Sequence, residues 1–106
     1  MITMKKNELE QYFSMVDGDK ILGKCKYDIL TKSIVGFEIE DETISDFVKF
    51  NLLKAVLNYF DLHGVKKVFY NGTEEIDICQ KNGFKNTDEG FCVDLNGYFE
   101  KGCANK

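Results

Sequence analysis

The sequence predicts one α/β domain in which a mixed, mostly antiparallel sheet packs on a long central helix. Residues 44–64 are apolar at helical spacing over an unusually long segment. Short segments on both sides of it alternate between apolar and polar residues, which is typical of strands. The chain has 106 residues, of which 43% are hydrophobic, so residues 1–106 fit a single domain.

The long helix is predicted over residues 44–64, which read ISDFVKFNLLKAVLNYFDLHG. Its apolar surface is interrupted only by a narrow polar line, made of Lys49, Asn51, Lys54, Asn58 and Asp61. An apolar arc this wide predicts a helix that is covered on most of its sides. Thr43 or Ser45 is placed to cap its start, with Asp46 as the partner in a capping box. Gly64 is placed to end the helix in a left-handed conformation.

Before the long helix, the sequence predicts one short helix and two antiparallel strands. In residues 5–16, apolar side chains recur at the spacing of one helical face, at Leu9, Tyr12, Phe13 and Val16. A turn at 17–19 leads to an alternating strand over 20–30, and a loop at 31–33 leads to its partner over 34–40. One face of this partner strand is expected to be buried, and it carries Val35, Phe37 and Ile39. The other face is expected to be more exposed to solvent, and it carries Glu38 and Glu40.

After the long helix, the next strand is predicted over residues 65–70. The helix is then a crossover between this strand and the one over 34–40, so the two strands are expected to be parallel. A second helix is predicted from an N-cap at Thr73 to a stop at Gly83. Its first turn is expected to hold two carboxylates, Glu74 and Glu75, which the positive end of the helix dipole stabilises.

The last part of the domain is predicted to be extended. A strand opens at Phe84, a turn follows at 88–90, and an alternating strand covers 91–95. Tyr98 and Phe99 are expected to pack back onto the domain. The open edge of the last strand offers backbone groups to a second copy, so a homodimer is one expected assembly.

Composition and charge exclude several function classes. The net charge is −4 and no segment is strongly basic, which argues against a nucleic-acid partner. No apolar run approaches the ~18 residues that a membrane-spanning helix requires. The first residues, MITMKKNELEQYF, carry charges where a signal peptide needs an apolar core, so we expect a cytoplasmic protein.

The cysteines are expected to be free thiols, most of them buried. Cys25, Cys79, Cys92 and Cys103 contain no C-x-x-C spacing, and the single histidine, His63, lies far from them in sequence. No metal site is therefore predicted. Two disulfides are the alternative for an even number of cysteines, and a reducing compartment argues against them.

Five segments, taken in order and spacing, resemble the GNAT acetyltransferase superfamily over residues 17–95. They are DKILG (19–23), the strand over 34–41, LLKAVLNY (52–59), the Gly-Val pair at 64–65 before a strand, and KNGF (81–84). The resemblance implies a GNAT-like sheet around the long helix. It also implies acetyl-CoA or another acyl-CoA as cofactor, and a small-molecule or protein amine as acyl acceptor.

The resemblance also assigns site residues by position. Cofactor contacts fall on Ile39, Ile44, Phe47 and Lys49. Catalytic positions fall on Glu38, Glu40 and Cys79. The two strand carboxylates are placed to deprotonate an amine, and Cys79 stands where the family often has a tyrosine general acid.

The pyrophosphate loop of the family, (Q/R)-x-x-G-x-(G/A), is degenerate here, because its motif positions hold Ile44, Phe47 and Lys49. Three carboxylates surround the same helix start and would repel a pyrophosphate, namely Asp41, Glu42 and Asp46. Two functions are therefore predicted. One is an N-acyltransferase with a non-standard cofactor loop, and the other is a catalytically inactive binding or assembly module of the same fold.

Each candidate residue also has a simpler interpretation. Glu38 and Glu40 fit the solvated face of a strand, or, together with Asp41 and Glu42, a surface that recognises a cation. Cys79 fits a buried thiol that only packs.

Overall fold

The computed structural model describes residues 1–98, so Phe99 and Cys103 lie outside the described residues. This part of the chain forms one seven-stranded sheet and two helices. The strands are β1 (Ile2–Asn7), β2 (Tyr12–Asp17), β3 (Lys20–Asp28), β4 (Ser33–Ile39), β5 (Lys67–Tyr70), β6 (Lys85–Thr87) and β7 (Gly90–Asp94). The helices are α1 (Ser45–Leu62) and α2 (Ile76–Lys81).

The sheet is mixed and mostly antiparallel, as the sequence predicts. Its strand order is β1-β2-β3-β4-β5-β7-β6, so its edges are β1 and β6. The open edge expected at the last strand is wrong, because β7 pairs with both β5 and β6. The parallel pair is β4–β5, which α1 connects, and the other neighbours are antiparallel. The turns predicted at 17–19, 31–33 and 88–90 each join two antiparallel strands that are neighbours in the sheet.

The short helix predicted over residues 5–16 is wrong, because this segment forms the β1–β2 hairpin. Leu9, which completed the helical spacing, is 93% exposed in the turn. Phe13 and Met15 belong to the hydrophobic core, whereas Ser14 between them is buried outside it. Alternate side chains of this segment therefore face the core, with the period of two residues that is typical of a strand. The pairing of β2 with β3 determines this conformation, and a single-segment pattern does not contain that contact.

The two strands that follow are confirmed, with one change of side-chain orientation. Phe37 and Ile39 pack against the core as predicted, whereas Val35 is 58% exposed. The register explains this, since Lys26 pairs with Gly36 but Tyr27 pairs with Ile34. Val35 is thus the extra residue of a β-bulge, and Ile34 takes the buried position in its place.

The long helix is confirmed as α1, but it is not covered on most of its sides. One face packs on β2, β3 and β4 and buries Val48, Leu52, Leu53, Val56, Leu57 and Phe60. Phe47, Phe50 and Leu62 on the remaining surface are 53%, 39% and 74% exposed. At Gly23 the helix lies so close that an added Cβ would be 2.8 Å from Val48 Cγ1.

The predicted capping of α1 is confirmed at its end and wrong at its start. Gly64 has a φ of 79°, and the next residue donates its N–H to the Phe60 carbonyl. At the start, neither Thr43 nor Ser45 caps α1. A 3-10 turn, Glu42–Ile44, precedes the helix, and Asp41 caps that turn.

The second helix is also confirmed, with a different start. Glu75, not Thr73, is the residue before α2, and its side chain makes no capping hydrogen bond. The helix stops before Gly83, which has a φ of 98°. Tyr98 packs back as predicted, because its hydroxyl donates to the carbonyl of Asn82, 2.8 Å away. No helix within residues 1–98 is long and apolar enough to cross a membrane.

Candidate functional site

The candidate site lies where β4 ends and α1 begins, opposite the start of α2. The side chains of the two helix starts and of the segment before α2 enclose a cavity of about 220 Å³, lined by Asp46, Lys49, Glu74, Glu75, Asp77, Ile78 and Lys81. A second, more open cavity of about 320 Å³ lies over residues 42–47. Asp46 lines both cavities and so lies between them at the start of α1.

An ion pair fixes the wall of the first cavity. Lys49 Nζ lies 2.9 Å from Glu75 Oε1, and the two side chains are only 21% and 15% exposed. The backbone N–H of Glu75 donates to Tyr70 Oη over 3.2 Å. Gly72 lies directly against that ring, since an added Cβ would be 2.4 Å from Tyr70 Oη. The segment between β5 and α2 is therefore held against α1 by polar contacts at a close backbone approach.

Asp41 occupies the start of the 3-10 turn that leads into α1. Its Oδ1 accepts the hydroxyl of Thr43 at 2.6 Å and the backbone N–H of Thr43 at 3.1 Å. These hydrogen bonds, the hydroxyl first, lower the pKa of Asp41. The turn before α1 therefore carries an ionised carboxylate at neutral pH, whereas no side chain caps α1 itself.

Glu38 and Glu40 lie outside both cavities. Glu38 alternates with the core residue Phe37 and so points to the sheet face away from α1. There it pairs with Lys26 at 2.6 Å, and the hydrogen bond from Lys26 lowers the pKa of Glu38. Glu40 is exposed, and its backbone N–H donates to the carbonyl of Leu22.

Cys79 lies in the core and not on a cavity wall. Its side chain is fully buried, and this burial, with a smaller effect from Glu75, raises the pKa of Cys79 to about 12. Cys25 is also fully buried, and burial raises its pKa well above the ordinary value. Such thiols stay protonated near pH 7 and are poor nucleophiles.

Cys25, Cys79 and Cys92 are free and buried, as expected. Cys103 lies outside the described residues. Within residues 1–98, no group of three or more His, Cys, Asp and Glu side chains has the arrangement of a metal site.

The predicted cofactor positions separate into two groups. Ile39 and Ile44 are partly buried and pack on the hydrophobic core, so they stabilise the end of β4 and the start of α1. Phe47 and Lys49 border the cavities, and Ile44 also lines the second one, beside Phe47. Sequence reasoning did not assign Glu75 or Tyr70 to the site, because their contacts depend on the chain folding back between β5 and α2.

Exposed aromatic side chains continue the site along α1. Phe50 lies one turn beyond Asp46 and Phe47, and its ring faces Lys54 Nζ at 5.5 Å. Lys54 Nζ also lies 4.7 Å from the Tyr98 ring centroid and donates to Tyr98 Oη over 2.8 Å. Tyr98 in turn bonds the end of α2 through Asn82. One surface therefore runs from the carboxylates at the helix starts to an aromatic and cationic cluster.

No protein-family model, no curated protein and no solved structure matches this chain.

Proposed function

We propose that this protein is a catalytically inactive binding or assembly module built on a GNAT-like α/β fold. The single observation that carries the proposal is the position of Asp41. Its carboxylate caps the 3-10 turn through Thr43, directly before the helix start where GNAT proteins hold the pyrophosphate of their cofactor.

The electrostatics around this helix start support the same proposal. Glu42 and Asp46 line the cavity over the start of α1, and each carboxylate repels a pyrophosphate. Asp41 differs from them, because it lies 3.8 Å from Lys20 Nζ. Lys49 is the lysine nearest to this position in sequence, and it is paired with Glu75. Binding acyl-CoA here would require either breaking that partly buried pair or holding phosphate beside Glu42 and Asp46, which have no ion-pair partner among residues 1–98. Both are unfavourable, so the residues present do not fit the cofactor.

The predicted catalytic groups do not support acyl transfer either. A general base for an amine works best with a pKa near the operating pH and within reach of the substrate. The pKa of Glu38 is instead lowered, and its carboxylate lies on the sheet face away from α1. Cys79 is a buried thiol whose pKa is raised to about 12, so it is a weak proton donor.

A second candidate function, acyl transfer by an N-acyltransferase, is favoured by one observation. The parallel strands β4 and β5 pair only at Ser33–Phe69 and Ile34–Tyr70, so the rest of β4 extends beyond the end of β5. In the GNAT superfamily, a gap between the corresponding strands admits the pantetheine arm of the cofactor. The strand geometry thus supports acyl transfer, while the charges at the helix start oppose it.

Titration with acetyl-CoA, followed by calorimetry and by amide NMR shifts, separates the two functions. For an inactive module we expect no saturable binding up to about 1 mM. Binding with a Kd of about tens of micromolar and shifts over residues 46–50 would instead establish the acyltransferase site. The same titration is repeated with the double variant Glu42→Lys/Asp46→Lys. A higher affinity of this variant for CoA would show that the start of α1 faces a phosphate position.

A further inference from the structure

We propose that the surface formed by Asp46, Phe47, Phe50, Glu74 and Asp77, here termed the acidic–aromatic surface, binds a basic amphipathic helix of a partner protein. This inference rests on the proposed binding function and specifies the partner class. It combines two independent features of the same region, namely uncovered aromatic rings and uncompensated carboxylates.

The aromatic part is unusually open for side chains of this size. Phe47 and Phe50 are 53% and 39% exposed and lie one helical turn apart on α1. Adjacent exposed rings that are rimmed by polar groups mark interaction sites more often than scattered apolar residues do. The ring of Phe50 already faces one ammonium group, that of Lys54, at 5.5 Å. Its face is therefore compatible with a cationic neighbour.

The charge of the region specifies the sign of the partner. Four carboxylates and two ammonium groups line the cavity between the helix starts, and Glu75 neutralises Lys49. Among the described residues, no ion pair engages Asp46, Glu74 or Asp77. An anionic partner would be repelled, whereas lysine or arginine side chains would be attracted and oriented.

The size of the cavity favours a side chain over a whole small molecule. Its volume of about 220 Å³ is below the ~300–1,000 Å³ that is typical of sites enclosing a small-molecule ligand. An amphipathic helix places apolar and cationic groups at i, i+3, i+4 and i+7, which suits a groove between two helices. Its apolar face would cover the rings of Phe47 and Phe50 while its cations approach Asp46 and Asp77.

The test uses synthetic amphipathic peptides of about 18 residues as probes, followed by calorimetry and amide NMR shifts. A Lys/Leu peptide is expected to bind with a Kd of about 1–50 µM in low salt, with shifts over 46–54 and 74–81. A Lys/Ser peptide of equal charge should bind at least about tenfold more weakly, and a Glu/Leu peptide should not bind. If spermine bound as tightly as the Lys/Leu peptide, the inference would be overturned and the surface would be a small-cation site.

A matched pair of double variants localises the binding. Phe47→Ala/Glu74→Lys removes one exposed ring and reverses one carboxylate on the acidic–aromatic surface. The control Leu62→Ala/Asp88→Lys makes equivalent changes at exposed residues elsewhere. We expect at least about a tenfold loss of affinity for the first variant and less than about twofold for the control. Equal losses, or shifts centred elsewhere, would overturn the inference.

The outcomes separate this inference from the proposed function. If neither the peptides nor acetyl-CoA bind, the basic amphipathic helix is refuted as the partner, while the inactive-module proposal is unaffected. Saturable acetyl-CoA binding at residues 46–50 refutes the inactive-module proposal on which the inference rests.

Discussion

Lys49 Nζ contacts Glu75 Oε1 at 2.9 Å and so joins α1 to the residue before α2, across 26 positions of sequence. The two side chains are 21% and 15% exposed, so water screens the pair less than it screens an ion pair at an open surface. This contact also uses the positive charge of Lys49 near the start of α1. One pair thus both holds the second helix in place and leaves Asp46, Glu74 and Asp77 without an ion-pair partner among residues 1–98.

Breaking this ion pair should destabilise the fold. Lys49→Met and Glu75→Gln are each expected to lower the free energy of unfolding by about 1–2 kcal/mol, because each leaves a partly buried charge without its partner. The double variant should lose less than the sum of the two single variants. Urea denaturation of all four proteins measures this coupling.

The Lys26–Glu38 pair is the matched control for that cycle. Its side chains are 49% and 51% exposed, although its 2.6 Å distance is shorter than that of Lys49–Glu75. We expect a smaller coupling here, because solvent screening outweighs the shorter distance. A coupling at Lys26–Glu38 equal to that at Lys49–Glu75 would contradict the importance of burial.

The approach of α1 to β3 should depend on the absence of a side chain at Gly23. A Cβ added there would lie 2.8 Å from Val48 Cγ1 and 3.0 Å from Ile39 Cδ1. Gly23→Ala is therefore expected to cost about 1–3 kcal/mol in the free energy of unfolding, as an overpacked core site. The cost should fall in a Val48→Ala background, which removes the nearest methyl group.

Gly36→Ala provides the control in the neighbouring strand. No atom lies within 4 Å of a Cβ built at Gly36, and its φ is not positive. We expect no measurable loss of stability by thermal unfolding. If Gly36→Ala and Gly23→Ala lowered the melting temperature equally, the loss would reflect glycine replacement in a strand and not contact with α1.

The extent of α1 and most strand positions followed from the sequence because their patterns are local. Alternation predicted β3, β4 and β7, and Gly64 marked the end of α1. The parallel pairing of β4 and β5 followed from the crossover. These features depend on the side chains of one segment at a time, or on a general rule of chain topology.

The N-terminal hairpin could not be predicted, because its turn contains neither glycine nor proline. Gln11 adopts a φ of 58°, which is uncommon for a residue other than glycine. Its side-chain Oε1 accepts the N–H of Ile29 at 2.8 Å, and its carbonyl accepts the N–H of Tyr27 at 3.0 Å. The turn is thus held by hydrogen bonds from the end of β3. The helical spacing of residues 5–16 contains no information about these long-range contacts.

The candidate site was predicted only in part, for a similar reason. The sequence identified the carboxylates around the start of α1 and the position of Lys49. It did not identify Glu75 as the partner of Lys49 or Tyr70 as the support of Glu75. It also predicted a covered α1, because the apolar composition of the helix does not show that Phe47 and Phe50 stay exposed.

The buried thiol of Cys79 should make stability depend on pH in the alkaline range. Its pKa rises from 9.0 to about 12 on folding, so the unfolded chain loses this proton first. The contribution is fully present below pH 9 and is lost as the pH rises towards 12. The difference in unfolding free energy between the native protein and Cys79→Ala should fall by up to about 1.4 kcal/mol per pH unit in that range.

Val68→Ala is the control, because it removes methyl groups from a fully buried side chain that does not titrate. Its difference from the native protein should stay constant between pH 9 and 11. A constant difference for Cys79→Ala as well would show that the thiol titrates alike in the folded and unfolded chains.

The structure has Asp41 as a capping residue, whereas the sequence pattern predicts that Thr43 or Ser45 caps the helix, and the two can be tested against each other. The Thr43 hydroxyl makes the largest contribution to the lowered pKa of Asp41, so Thr43→Ala should raise that pKa towards 3.8. The stability from Asp41 is present above pH 3.8 and is lost as the pH falls through its lower folded value. Thr43→Ala should therefore reduce stability at neutral pH more than in acid.

The carboxyl carbon shift of Asp41, followed by NMR from pH 2 to 6, measures the change in this pKa directly. Ser45→Ala is the control, because Ser45 is the alternative cap in the sequence pattern and caps neither the 3-10 turn nor α1 in the structure. A shift in the Asp41 titration caused by Ser45→Ala, and not by Thr43→Ala, would refute the capping geometry on which the proposed loss of phosphate binding depends.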